Sequence, residues 1–193
     1  MKSSLLTLVA LLCGKFCLAQ TPAAKDALQL KDNYSVQFLY VTNKDKQVLI
    51  QKNQYGWNPI ALRSNRPQSI KEALDSLAAS MGLTIGALRL AGLYTYKFEG
   101  LPDHQQVSFR THFTAKLTAG KLRQPTDTSV VYRWVSIPEA IDRIEFTPAK
   151  QQAKQLLTFP KQVWGGSYLI IWKDDKLTGS KVLEPAYSLS PTP

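Results

Sequence analysis

The sequence predicts an α/β fold, and three observations carry that prediction. Strand-like segments rich in β-branched and aromatic residues are interleaved with segments whose apolar residues recur at helical spacing. Two of the helical segments open on a serine followed three positions later by a glutamate, the pattern of a helix start. The composition, 44% hydrophobic and 20% charged over 193 residues, is that of one globular domain of useful core size.

Tyr34 to Thr42 (YSVQFLYVT) reads as a strand, Asn43-Lys44-Asp45-Lys46 as a turn, and Gln47 to Lys52 (QVLIQK) as the returning strand of a hairpin. Ser69-Ile70-Lys71-Glu72 then fits a capping box. Ile70, Ala73, Leu74, Leu77 and Met81 follow as one apolar stripe, and Gly82 is placed to end the helix in a left-handed conformation. Leu88 to Phe98 and Val107 to Leu117 alternate as two further strands, joined by a loop over Gly100 to Gln106. Val130 to Val135 is another strand. It feeds Ser136-Ile137-Pro138-Glu139, a second expected capping box, and a short helix to about Ile144. Thr147-Pro148 starts a third helix, with proline where its missing N–H costs nothing and Ala149, Ala153, Leu156 and Leu157 on the buried side. Beyond Pro160, Tyr168 to Trp172 is an apolar strand, Lys173 to Gly179 a polar turn region and Lys181 to Leu183 a short returning strand.

The first nineteen residues stand apart. Met1-Lys2 is a short basic start, Leu5 to Leu12 an apolar run, and Cys17-Leu18-Ala19 places small residues before a cut at Gln20, the layout of a secretory leader. The run is far too short to cross a bilayer, which takes about 20 apolar residues. The expectation is an exported, periplasmic or secreted, product. Both cysteines, Cys13 and Cys17, lie in the leader, so the mature chain offers no disulfide, thiol nucleophile or thiolate metal site. Each follows a bulky residue, Leu12 or Phe16, which disfavours a lipid-anchored cysteine. The expected organisation is a signal peptide over 1–19, a lead-in over 20–33, the domain over 34–159 and a β extension over 160–193.

The net charge of +10, or +8 once Lys2 and Lys15 leave with the leader, favours anionic partners. The basic residues are scattered, with no arm of consecutive Lys/Arg to indicate nucleic acid specifically.

Two segments carry a family resemblance. Val48-Leu49-Ile50-Gln51-Lys52 followed by Gly56-Trp57, and Tyr132-Arg133-Trp134-Val135-Ser136-Ile137-Pro138-Glu139-Ala140-Ile141, resemble the strand-and-tryptophan and tryptophan-to-helix segments of the Nudix hydrolase superfamily. The likeness spans about Tyr34 to Leu157. It implies an α/β/α sandwich with a mixed β-sheet, to which the tail adds a C-terminal β extension. The family's box, G-x5-E-x7-R-E-U-x-E-E-x-G-U, is degenerate. Gly82-Leu83 and Leu77 fill its closing and inner apolar places, but Ala61 stands for the glycine, Pro67 for the first glutamate and Asp75 for the arginine. Ser76, Ala79 and Ser80 replace the three glutamates that in the family hold magnesium against a diphosphate. Positions 76, 79 and 80 share one helix face. Hard divalent cations need anionic oxygens, which two hydroxyls and a methyl do not supply.

The expectation is therefore a non-catalytic protein, with no catalytic residue, no metal site and no cofactor, that binds an anionic small molecule or a protein partner in the inherited cleft. The alternative is an active hydrolase of a nucleoside-diphosphate-like substrate with unconventional ligands, the one case that brings in magnesium. Candidate ligand-binding residues are Arg63 and Arg66, in a loop before a helix N-terminus, with Trp57, Ser76 and Ser80. The same loop also reads as a plain solvated turn. His104 and His112 lack the clustered ligands of a metal pair, and His112 reads better as a hydrogen-bonded strand residue. Glu72, Asp75, Glu99 and Asp103 are the carboxylates available for a relocated site, although capping explains Glu72 and solvation explains Asp75. No nucleophile elbow or glycine-rich phosphate loop is present.

Overall fold

The computed structural model describes residues 35–63, 67–101 and 107–190. The expected leader and lead-in, Arg66 and His104 lie outside them. Nine strands and three helices are described: β1 (Val36–Thr42), β2 (Gln47–Asn53), β3 (Gly56–Arg63), α1 (Ile70–Ser80), β4 (Leu83–Ile85), β5 (Arg89–Glu99), β6 (Ser108–Gly120), β7 (Val131–Ser136), α2 (Ile137–Arg143), α3 (Thr147–Thr158), β8 (Trp164–Lys173) and β9 (Lys176–Ser188).

The sheet order is β7-β2-β3-β1-β6-β5-β8-β9, with β4 added to β6. It is mixed. β1 runs parallel to β6 and β5 parallel to β8, and the remaining pairs are antiparallel. Alternation along β1 sends Leu39 and Val41 to one face, against Leu74 and Ala78 of α1 and Met81 that caps it. Tyr40 goes to the other, against Ala140 of α2 and Ala149, Ala153 and Leu156 of α3. Helices therefore cover both faces, and the α/β/α sandwich follows.

Four sequence expectations need correction. The β1–β2 hairpin survives only at its base, where Thr42 pairs with Val48. Beyond that point β3 lies between the two strands, pairing Ile50 with Pro59 and Leu39 with Ile60. β3 was not expected, because Asn58 and Pro59 break the strand pattern and proline is uncommon in an interior strand. It forms because Asn53 pairs with Gly56 around the two-residue turn Gln54-Tyr55, with Gly56 taking φ +83° just after it. The second capping box is half a box: Ser136 accepts from the Glu139 N–H, but Glu139 pairs its carboxylate with Arg143 instead. The tail turn is tighter than expected, since Asp174 and Asp175 both have positive φ and form a two-residue hairpin loop. β9 consequently returns from Lys176 and runs thirteen residues.

Candidate functional site

Local chemistry sets α1 firmly. Ser69 accepts from the Glu72 N–H at 3.2 Å and Glu72 accepts from the Ser69 N–H at 2.9 Å, a complete capping box. Those bonds to serine hold the Glu72 carboxyl below its ordinary pKa. Gly82 closes the helix at φ +76°. Ala73, Leu74 and Ala78 are buried, and Ser76, Ala79 and Ser80 form the exposed outer face. The Ser80 hydroxyl donates back to the Leu77 carbonyl at 2.7 Å, and Arg123 donates to the Ala79 carbonyl at 3.0 Å. Asp75 pairs with Lys71 one turn earlier, so it faces solvent as expected.

The candidate ligand residues are spread over the molecule. Arg63 ends β3, exposed, and Ser69 caps α1 after the residues that are not described. Ser76 and Ser80 lie roughly 10 and 16 Å along the helix axis from that cap. Trp57 stands at the far end of β3 from Arg63, about 20 Å away. Trp57 is half-buried and packs with the α2–α3 side of the core, the Arg133 and Arg143 guanidiniums 5.5 and 5.3 Å from its ring. Arg63 shares its parity on the strand. Ser76 and Ser80 thus belong to the α1 side, and Trp57 and Arg63 to the opposite face.

The structure also assembles a cluster that the sequence reading passed over. His112 is fully buried, stacked on Phe38 (4.6 Å) and Tyr40 (5.8 Å) with Tyr94 edge-on at 5.2 Å. Its Nδ1 lies 3.3 Å from the Tyr40 hydroxyl, and the tautomer decides which group donates. Burial first, and the nearby Arg110 second, lower its pKa to about 3, so the imidazole is neutral. Tyr96 donates to Gln152 of α3 at 3.1 Å, while the Arg110 guanidinium sits 4.9 Å from the Tyr96 ring. Desolvation raises the Tyr40, Tyr94 and Tyr96 hydroxyls well above the usual tyrosine range. His112 Nε2, Tyr94 Oη and Gln152 Nε2 are buried without a hydrogen-bond partner. The signal was present in the sequence: Gln152 falls in the Ala149–Ala153–Leu156 stripe, and His112 and Arg110 fall on the inner parity of their strand.

No protein-family model and no curated protein matches the chain by sequence. Solved structures do. The mutator MutT protein from Bacillus halodurans superposes with a TM-score of 0.61 at 16% identity, covering 78% of this chain and 99% of its own. The chain has a Nudix fold. Two Nudix hydrolase structures from Nitrosomonas europaea agree, with TM-scores of 0.52 and 0.51 at 14% and 16% identity. They cover 72% and 65% of this chain and 80% and 88% of their own. Among the described residues no group of three or more His, Cys, Asp or Glu side chains converges on a point, and no helix is long and apolar enough to cross a membrane.

Proposed function

We propose that this is an exported Nudix-fold protein that does not hydrolyse diphosphates and instead holds an anionic ligand with its own side chains. The observation that carries the reading is the outer face of α1. Ser76, Ala79 and Ser80 are exposed there, and the Ser80 hydroxyl is turned onto its own helix. Such a face cannot neutralise a divalent cation, and metal-assisted attack on a diphosphate depends on that neutralisation. A net charge of +8 without the expected leader supplies the attraction for anions, and Arg63 with Arg66, which precede α1 in the sequence, supplies the grip. Glu72 already meets the N–H of Ser69, so a ligand there engages the arginines rather than the helix cap.

The test is calorimetric titration of the purified protein with pyrophosphate, with and without EDTA, beside a hydrolysis panel of nucleoside diphosphates in magnesium. Binding that survives EDTA and falls at least tenfold in Arg63→Ala/Arg66→Ala supports the reading. Turnover that requires magnesium overturns it in favour of an active hydrolase.

A further inference from the structure

On the side of the sheet opposite α1, helices α2 and α3 leave a groove between them. It holds about 650 Å³ and is open to solvent. That volume lies inside the roughly 300–1,000 Å³ of small-ligand sites. Ile137, Pro138 and Ile141 of α2 supply its apolar floor. Ile137 and Ile141 are half-buried, because their inner sides pack on the core that α2 and α3 cover. Lys150, Lys154 and Thr158 recur at every fourth position of α3 and line the facing wall, about 12 Å long. The helix itself gains nothing from the two lysines. They repel each other one turn apart, and Lys150, the fourth residue of α3, lies near the end where a cation opposes the helix dipole. α3 holds no carboxylate, and among the described residues neither lysine has an ion-pair partner. Asp142, from α2, is the one acidic side chain that lines the groove.

We propose that this groove binds an amphiphilic anion of the fatty-acid class, with its acyl chain on Ile137, Pro138 and Ile141 and its carboxylate against Lys150 and Lys154. The apolar floor calls for a chain and the lysine wall for a negative head, so neither a simple oxyanion nor a neutral chain satisfies both. Charge differs across the groove, two cations on α3 against Asp142 on α2, and this draws the head to the α3 wall. Lysine is a point charge on a flexible stem, without the planar fork of arginine, so it selects the head by charge. Bound there, the chain covers apolar surface that the two helices leave to solvent, and the carboxylate relieves the repulsion between the lysines. A wall about 12 Å long suits a chain of medium length. The groove shares no residue with the anion site proposed at Arg63 and Arg66.

Calorimetric titration of the purified protein with decanoate tests this, beside acetate, decanol and decyltrimethylammonium. Decanoate is expected to saturate one site per chain and to bind at least tenfold more tightly than the other three. Lys150→Gln/Lys154→Gln is expected to weaken decanoate at least tenfold with unchanged far-ultraviolet dichroism, and Ile141→Gln to weaken it in the same direction. Tyr55→Ser, on the exposed β2–β3 turn, leaves it unchanged. In the unaltered protein added sodium chloride is expected to weaken decanoate binding, because salt screens a charged contact, and this keeps the test open even where a variant misfolds. The absence of saturable decanoate binding overturns the proposal, as does equal affinity for decanol, affinity that rises with salt or a folded double glutamine variant that binds as before. A groove that takes an acidic amphipathic peptide in place of decanoate overturns it in favour of a protein partner.

Discussion

The two sides of the sheet are built on different principles. Under α1 the packed cluster is apolar, with Leu39, Val41, Leu49, Ile60, Leu74, Ala78 and Met81, while Gln37 and Thr111, on the same strand parity, bury side-chain oxygens without a hydrogen-bond partner. Under α3 an apolar cluster adjoins buried Tyr40, Tyr94, Tyr96, His112 and Gln152, several of whose polar atoms have no partner. Burying an unpartnered polar atom costs about 1–3 kcal/mol. Both faces therefore bury polar atoms, but the aromatic cluster around His112 is confined to the face opposite α1. α1 is a packed structural element of this fold, and the buried histidine–tyrosine cluster lies on the other side of the sheet.

The largest expected effect sharpens the apolar half of that contrast. Leu74 is fully buried beneath α1, and Leu74→Ala is expected to lower the unfolding free energy by about 3 kcal/mol in urea denaturation. A loss below about 1 kcal/mol would show that α1 is loosely docked and the contrast is false. Acid breaks the other half. The folded-state pKa of His112, about 3, lies below its ordinary 6.5, so the unfolded chain binds a proton that the folded chain refuses. Stability from this group is fully present above pH 6.5 and is lost as pH falls toward 3. The expected slope is at most about 1.4 kcal/mol per pH unit. His112→Phe removes this contribution and flattens the profile between pH 6 and 4, whereas Leu74→Ala shifts the curve without changing its slope.

What the sequence made legible follows the same division. α1 was readable to the residue because Ser69, Glu72 and Gly82 are local signals and its stripe has one period. The shared exposure of Ser76, Ala79 and Ser80 followed from their helical spacing. β3 was hidden by Asn58 and Pro59, and its place between β1 and β2 depends on pairings that no local pattern encodes. The polar cluster was hidden for another reason. Tyrosine alternation signals a strand equally well whether the rings meet leucines or a histidine, so Tyr94 and Tyr96 identified β5 without showing what they face. His112 was read correctly as a strand residue with a hydrogen bond, but its partner, Tyr40, is 72 positions away in the chain.

Smaller effects separate the two faces atom by atom. Tyr94→Phe deletes a buried hydroxyl that has no partner, so it is expected to stabilise the fold by about 1 kcal/mol. Tyr40→Phe deletes a hydroxyl that is bonded to His112 and orphans its Nδ1, so it is expected to destabilise by a similar amount. Equal losses from both variants in denaturant titration would mean that the Tyr94 hydroxyl is solvated by interior water and the polar side is no less satisfied than the apolar one.

Ser69→Ala makes the smallest change, about 0.5–1 kcal/mol, because it removes one half of an exposed cap while Glu72 still accepts from the backbone. Its value lies in the order it sets. The α1 cap is local and solvent-facing, so its loss should fray the first helical turn, seen as faster amide exchange at Ala73 and Leu74, without altering the acid profile that His112 controls. If Ser69→Ala also steepened that profile, α1 and the polar cluster would be coupled through the sheet, and the two faces would have to be treated as one cooperative core rather than as two.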